Sequence, residues 1–335
     1  MKRRLVSLLV CPQCKHGLDI LVDSGENEEI SEGSLSCPTC HATFPIRRGV
    51  PRFVEMDRYV DTFSFEWRKF HDVQIDILNA TDESEKTFLG KTGWRPDDLQ
   101  GKLVLDIGVG AGRFAEVVSR WGGEVIGIDL SFAVDTAFEN IGGRENVHIV
   151  QADLFHLPFA ASRFEAMYSI GVLHHTPDTR KAFESVIPLL KTGGEFAVFV
   201  YAYGHYSYFS DIWRRITTKV PYRLLYYLTA LSVPLYYLYE IPLLGLGFRF
   251  VFPMSRHPNP RWRWLDTFDW YTPKFQHKHT WPEVYQWYRE NGFVDIELNQ
   301  ETREFSLLHI NVTGKRSYHG NVPLRDREHG LSSSF

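Results

Sequence analysis

The stretch VLDIGVGAGRF (104–114) places an acid, Asp106, two residues ahead of Gly108, with Gly110 and Gly112 following on alternate positions. Glycines so spaced let the backbone turn sharply and approach a ligand closely, and a helix opening behind them offers free amides. A dinucleotide turn, G-x-G-x-x-G, needs glycine at 113, where Arg113 stands, and a phosphate-binding P-loop would end in G-K-[ST], which is absent here. Asp106 repels a pyrophosphate but pairs with a cation. Two further acids stand at matching places. Asp129 ends an apolar run in VIGIDLS, where its oxygens can accept both ribose hydroxyls. Asp153 follows another in QADLFHLPF, where it can accept an adenine amino proton. Leu130 borders the ribose position, and Leu154 or Phe155 the ring. Three acids around such a loop point to S-adenosylmethionine (SAM), which carries an ammonium and a sulfonium and has no phosphate.

Methyl transfer from a sulfonium needs a nucleophile aligned behind the methyl group and, for an oxygen acceptor, a base to take its proton. The candidate bases are His174 and His175, after the fourth apolar run, and His277 and His279 beside Asp269 in the loop DTFDWYTPKFQHKHTWPEV (266–284). Each also has a plain structural reading, capping or packing.

A second chemistry sits near the start of the chain. The four cysteines fall as Cys11-Pro12-Gln13-Cys14 and Cys37-Pro38-Thr39-Cys40. Two C-x2-C knuckles brought together make a closed tetrahedral sulfur cage, which suits a structural zinc ion. Two disulfides or a redox C-x-x-C fit less well, since nothing else in the chain implies export.

These residues need a scaffold. Apolar runs LVLDI (103–107), EVIGID (124–129), VHIVQ (147–151), FEAMYSI (164–170) and EFAVFVY (195–201) alternate with helical stretches, as a parallel sheet with crossover helices requires. Thr176-Pro177-Asp178 reads as a helix start, and Lys191-Thr192-Gly193-Gly194 as that helix's glycine-capped end. Thr280-Trp281-Pro282-Glu283 is a capping box before a helix whose apolar face is Val284, Trp287 and Tyr288 and whose stop is Gly292. FVDIELN (293–299) and SLLHINVTGK (306–315) follow as an antiparallel hairpin.

The domains expected are 1–56, a zinc ribbon; 57–100, an aromatic lead-in that packs onto the main domain or covers its cleft; 101–204, the cofactor core; 205–265, an apolar insert; 266–315, the closing helix and hairpin; and 316–335, a loose tail. Within the insert, LLYYLTALSVPLYYLY (224–239) is too short for a membrane span and contains Pro234, so it reads as a buried helical cap or a helix on a membrane surface. The start MKRRLVSLLV imitates a leader, but its uncharged run is too short, and a strand entering the cysteine turn is the reading taken. The net charge of −4 implies no overall attraction to nucleic acid.

The segment from LLVCPQC through SCPTCHATFPIRRGVPRFV resembles the small zinc-ribbon domain that activates tRNA and protein methyltransferases. In this size class the resemblance implies that the metal supplies most of the folding energy. VLDIGVGAGRF, GIDLS, QADLFHLPF, FEAMYSIGVLHH and LLKTGGEF resemble the class I SAM-dependent methyltransferases of the type 11 group. That resemblance implies an α/β, Rossmann-like seven-stranded sheet with an antiparallel last strand, and a backbone contact from Ile170 to the cofactor.

Two acceptor classes follow. One is a small-molecule, lipid-linked or glycan-type acceptor, methylated on oxygen or carbon, with the apolar insert receiving its greasy part. The other is RNA, gripped by the ribbon and by RHPNPRWRW (256–264). The expected setting is cytoplasmic, with contact at the inner membrane face left open and no obligate protein partner implied.

Overall fold

The structure is a computed structural model that describes residues 1–26, 29–54, 61–203, 205–241, 244–299 and 309–317. The tail beyond 317 and residues 306–308 of the expected hairpin lie outside these.

The sheet that carries the glycine loop has seven strands in the order β10-β11-β9-β8-β5-β6-β7. Its parallel members are β5 (Leu103–Ile107), β6 (Glu124–Asp129), β7 (Val147–Gln151), β8 (Phe164–Ile170) and β9 (Leu190–Tyr201). The closing pair is β10 (Phe293–Leu298) and β11 (His309–Arg316). β11 lies antiparallel to both β10 and β9, so the last strand is the antiparallel one, as the resemblance implied. Strands in the middle of a parallel sheet are covered on both faces and read as unbroken apolar runs, which is how Val104, Leu105 and Ile107 come to be buried. The expected capping box forms: Thr280 and Glu283 cap Trp281–Glu290, and Val284, Trp287 and Tyr288 are its buried face.

Three local expectations are corrected. Residues Arg3–Val6 form a helical turn rather than a strand, because Leu5, Leu8 and Leu9 sit at helical spacing and all three are buried. The helix after β8 runs Thr179–Val186 with Asp178 as its cap, so Pro177 lies just ahead of it. Lys191–Gly194 does not end that helix. Those residues belong to β9, and Gly193, at φ +80°, makes the irregularity by which β9 steps from Leu190 opposite Phe164 to Glu195 opposite Ala166.

Ahead of the sheet stands a four-stranded antiparallel unit, β1 (Asp19–Glu26), β2 (Glu29–Ser36), β3 (Thr43–Arg47) and β4 (Val50–Pro51). It docks on the free edge of β7: Arg52 bridges Gln151, and the Phe53 amide donates to the Gln151 carbonyl at 2.9 Å. Its interior, from Leu5 and Leu9 to Leu35 and Ile46, is one core with Leu157, Phe159 and Phe164 of the larger domain. The ribbon therefore shares an apolar core with the larger domain in addition to its cysteine cluster.

The apolar insert folds as helices rather than as one buried slab. Tyr222–Thr229 and Ser232–Tyr239 are separated at Ala230 and Leu231 and rest on the cap helix Pro260–Tyr271. Leu225 and Tyr239 are buried, but Leu224, Leu228 and Leu231 are about half exposed and Tyr227 is 70% exposed, so only one face is covered. The cap helix runs across residue 265, where the insert was expected to end. Asp269 thus stands on a helix, not in a loop. Among the described residues no helix is long and apolar enough to cross a membrane.

Candidate functional site

The two cysteine knuckles are built alike. The amide of Lys15 donates to the Cys11 carbonyl at 2.9 Å and that of His41 to the Cys37 carbonyl at 3.0 Å, and Lys15 and His41 both take positive φ to close their turns. The Sγ atoms of Cys11 and Cys40 are 3.5 Å apart and those of Cys14 and Cys37 3.3 Å, with all four within 4.8 Å of one another. These separations exclude disulfides. They fit four thiolates around one ion with zinc–sulfur bonds of about 2.3 Å. The cysteines form a structural zinc site.

The ribbon reaches the larger domain at a telling place. The Val10 amide donates to the Pro158 carbonyl at 2.9 Å and Lys15 Nζ to that of Leu157 at 2.8 Å. Both acceptors lie in the loop that begins at Asp153.

The glycine loop leaves β5 with Gly108, Gly110 and Gly112 all at positive φ. A side chain at Gly108 would strike Val172 at 2.2 Å, and one at Gly110 would press on Trp67 at 3.1 Å. The amides of Gly108 and Val109 both donate to the Ile128 carbonyl at 2.8 Å, which ties the loop to β6. Asp106, buried at the end of β5, is pushed up to about 8 by that burial and by the nearby Asp129, against the opposing Tyr168 hydroxyl. Burial also raises Asp129. Its Oδ2 accepts the Gly110 amide at 3.1 Å, and its Oδ1 accepts the Ser131 amide at 2.8 Å and hydroxyl at 2.7 Å. Asp153 accepts the Phe155 amide at 3.0 Å and lies 3.2 Å from His156 Nδ1. Leu130 and Leu154 are half-buried beside these acids, and Ile170 is half-buried at the tip of β8. Two desolvated carboxylates beside one loop suit a cation and disfavour a phosphate.

Of the four candidate histidines, the structure separates His175 from the rest. Its Nδ1 is 2.7 Å from the Phe275 carbonyl, which can only accept, so that nitrogen carries the proton and Nε2 keeps a lone pair. Burial, with Arg214 and His277 adding to it against the Phe275 carbonyl, holds His175 down to about 4. His174 is fully buried between His175 and Tyr201, with ring centroids 4.2 and 4.0 Å away, and neither of its nitrogens has a partner. His277 is joined through its backbone, its amide donating to the His174 carbonyl at 2.9 Å. His279 lies 3.0 Å from Glu283 Oε1 and packs edge-on against Trp287, beside the capping box.

The helix Asp61–Lys69 of the lead-in packs onto the main domain beside the glycine loop. Trp67 lies against Gly110, the Ser64 hydroxyl accepts the Phe132 amide at 3.1 Å, and Phe63 stands 5.8 Å from the His175 ring. On the same face Glu66 is fully buried with no partner for either oxygen. Sequence reasoning missed Glu66, Tyr201 and Asp266. A lone acid sharing a helix face with Phe63, Trp67 and Phe70 was the available signal.

Within 256–264, Trp262 and Arg263 turn inward, while residues 258–261 stay exposed. Arg261 makes a two-pronged pair with Asp72 at 2.7 and 2.8 Å. Arg263 and Trp262 are buried, and Arg263 spends its protons on the carbonyls of His257, Val233 and Pro258.

Residues 105–198 match the family described as a methyltransferase domain, and residues 2–49 match the Trm112p-like protein family. The chain is 34% identical over 105 residues to the demethylmenaquinone methyltransferase of Thermobifida fusca, covering 30% of this chain and 44% of that one. It is 30% identical over 176 residues to phosphoethanolamine N-methyltransferase 2 of Caenorhabditis elegans, covering 50% and 38%. The chain thus spans less than half the length of these curated relatives. Among solved structures, a chain from the complex of the Haloferax volcanii Trm112 methyltransferase activator with the protein paired with it there overlays at a TM-score of 0.47. It has 13% identity and covers 77% of this chain and 99% of that one.

Proposed function

Starting from a chain that carries a Trm112p-like zinc ribbon in front of a SAM-dependent methyltransferase domain, we propose that this protein transfers the methyl group of SAM to a small-molecule acceptor, on oxygen. The observation that carries the reading is the row of acids Asp106, Asp129 and Asp153 at the ends of β5, β6 and β7, gathered on one rim by the glycine loop. In this reading Gly108, Gly110 and Gly112 admit the cofactor close to the backbone, and Asp106 faces its ammonium. Asp129 and Leu130 hold the ribose, Asp153 and Leu154 the adenine, and the Ile170 backbone borders the methionine part.

When bound, SAM supplies an electrophilic methyl group on a positively charged sulfur. The protein's part is to align the acceptor, exclude water and receive its proton. Trp67 and Phe63 close the cleft from above. His175 Nε2, left with a lone pair because Nδ1 donates to the Phe275 carbonyl, takes the acceptor's hydroxyl proton as the oxygen–carbon bond forms and the carbon–sulfur bond breaks. His174 supports the His175 ring, and His279 ties the closing helix to β9 through its amide on the Tyr201 carbonyl.

Residues 1–56 brace the adenine loop, 101–204 hold the cofactor, and 205–265 with the rest of the cap helix shape the acceptor's chamber. The relatives named for quinone and phosphoethanolamine methylation support a small acceptor, and the half-exposed apolar face of the insert is compatible with a lipid-linked one. The burial of Trp262 and Arg263 and the pairing of Arg261 with Asp72 count against an RNA grip by this segment. Supplying radiolabelled SAM to cell fractions with the purified protein tests this. Label is expected in the small-molecule or lipid fraction, and label confined to RNA would contradict it.

A further inference from the structure

The acceptor side of the cleft holds a charge imbalance that the cofactor does not resolve. Glu66, on the helix that covers the glycine loop, is buried among carboxylates. Desolvation raises it well above the usual carboxylate range, and Asp269 and Asp266 on the cap helix add to that. Burial raises the Tyr201 phenol at the tip of β9, and the same three acids add to it against Arg214. Asp266 has compensation: the Ser255 hydroxyl donates to it at 2.9 Å, and Arg113 and His257 lie near. Asp269 has Arg214, although that guanidinium spends its own protons on the Trp270 and Pro273 carbonyls at 3.0 and 2.5 Å. Among the described residues Glu66 has no hydrogen-bond partner, and the charges acting on it are the two aspartates.

A carboxylate left this way inside a protein is costly unless a ligand completes it. Asp106, which faces the cofactor's ammonium in the reading above, is raised by burial and by Asp129. The aromatic rings of Phe63 and Trp67 flank Glu66 along its helix, and such faces also attract cations.

We infer that Glu66, backed by Asp266 and Asp269, anchors a protonated amine carried by the methyl acceptor, an inference that rests on the cofactor reading of the glycine loop. The amine binds at Glu66 while a separate hydroxyl of the acceptor meets His175. The acceptor class is therefore an amino alcohol or amino sugar, free or as a headgroup.

The test is calorimetry on the zinc-loaded full chain saturated with S-adenosylhomocysteine (SAH). Ethanolamine is compared with ethylene glycol, and glucosamine with glucose. The amines should bind at least about tenfold more tightly than their neutral counterparts, and Glu66→Gln should erase that preference without weakening SAH. Without ligand, burial keeps Glu66 protonated and neutral, and Gln is its neutral isostere, so the ligand-free variant should melt no lower than the parent, which separates a binding role from a structural one. Equal affinity for amines and neutral counterparts, with SAH bound tightly, overturns this inference alone. A Glu66→Gln variant that loses SAH by the same tenfold assigns the ammonium to the cofactor and overturns the acceptor assignment. A parent protein that ignores SAH overturns the cofactor reading and this inference together.

Discussion

The two walls of the cleft are finished to different degrees. On the cofactor wall the glycine loop and Asp129 already have partners: the Gly108 and Val109 amides hold Ile128, and both oxygens of Asp129 are occupied by Gly110 and Ser131. On the acceptor wall, among the described residues, Glu66, both His174 nitrogens and Nε2 of His277 and of His279 have none. A buried polar group without a partner costs about 1–3 kcal/mol. The first wall is a mould set by backbone conformation. The second reaches full hydrogen bonding only when a ligand supplies what it lacks.

The zinc ribbon gives the largest way to break that contrast, because it braces only the cofactor wall. Structural zinc contributes on the order of 10 kcal/mol in isolated fingers. Here the shared core with Leu157 and Phe159 softens the loss. Cys37→Ser should empty the site by elemental analysis, lower the melting temperature and weaken SAH by about tenfold or more as the Leu157–Pro158 support is lost. Undiminished SAH affinity in a zinc-free protein would show that the brace is idle.

His175→Gln probes the other wall. It should lower kcat by about 10²–10⁴-fold while leaving SAH affinity unchanged. An equal loss in His174→Gln with His175→Gln near normal would reassign the base.

Asp129→Ala returns to the cofactor wall with a smaller effect. It should weaken SAH by about 1–3 kcal/mol, the worth of a buried charged hydrogen bond. An effect near zero in calorimetry would mean the ribose is held elsewhere.

The smallest effect is on stability against pH. Asp106, Asp269 and Asp266 are raised to about 8, about 7 and about 6, so the folded chain keeps protons that unfolded aspartates release near ~4. Their contribution to stability therefore falls as pH rises from about 4 to about 8. His175, held down to about 4, acts in the opposite sense: its contribution is lost as pH falls from about 6.5 toward 4. Below about 6.5 the two oppose each other, and above it the carboxyls are opposed by the single Met1 amino group, which burial holds down to about 6. The ligand-free melting temperature should decline between about pH 6.5 and 8, and saturating SAH should flatten the Asp106 share. A rise across that window would contradict the assignment of buried, protonated acids.

The cofactor wall was the legible one. Glycine at positive φ has few substitutes, so Gly108, Gly110 and Gly112 announce the turn, and the cysteine spacing announces the knuckles. Both are local constraints written into adjacent residues. The acceptor wall is assembled from distant ones: Glu66 meets Asp266 and Asp269 across two hundred positions. Gly193 misled for a related reason. Its left-handed conformation serves a strand irregularity beside Phe164 as readily as a helix cap, and only pairing with β8 decides between them. The apolar run 224–239 left a buried cap and a membrane-surface helix both open, because composition reports how much is apolar but not how many faces a neighbour covers.

The most direct test of the account is calorimetric titration of the zinc-loaded chain with SAH, SAM, NAD and ATP. The acids at the tips of β5, β6 and β7 predict binding of the two sulfur nucleosides and none of the phosphate-bearing ones. Uptake of NAD or ATP in their place would contradict it.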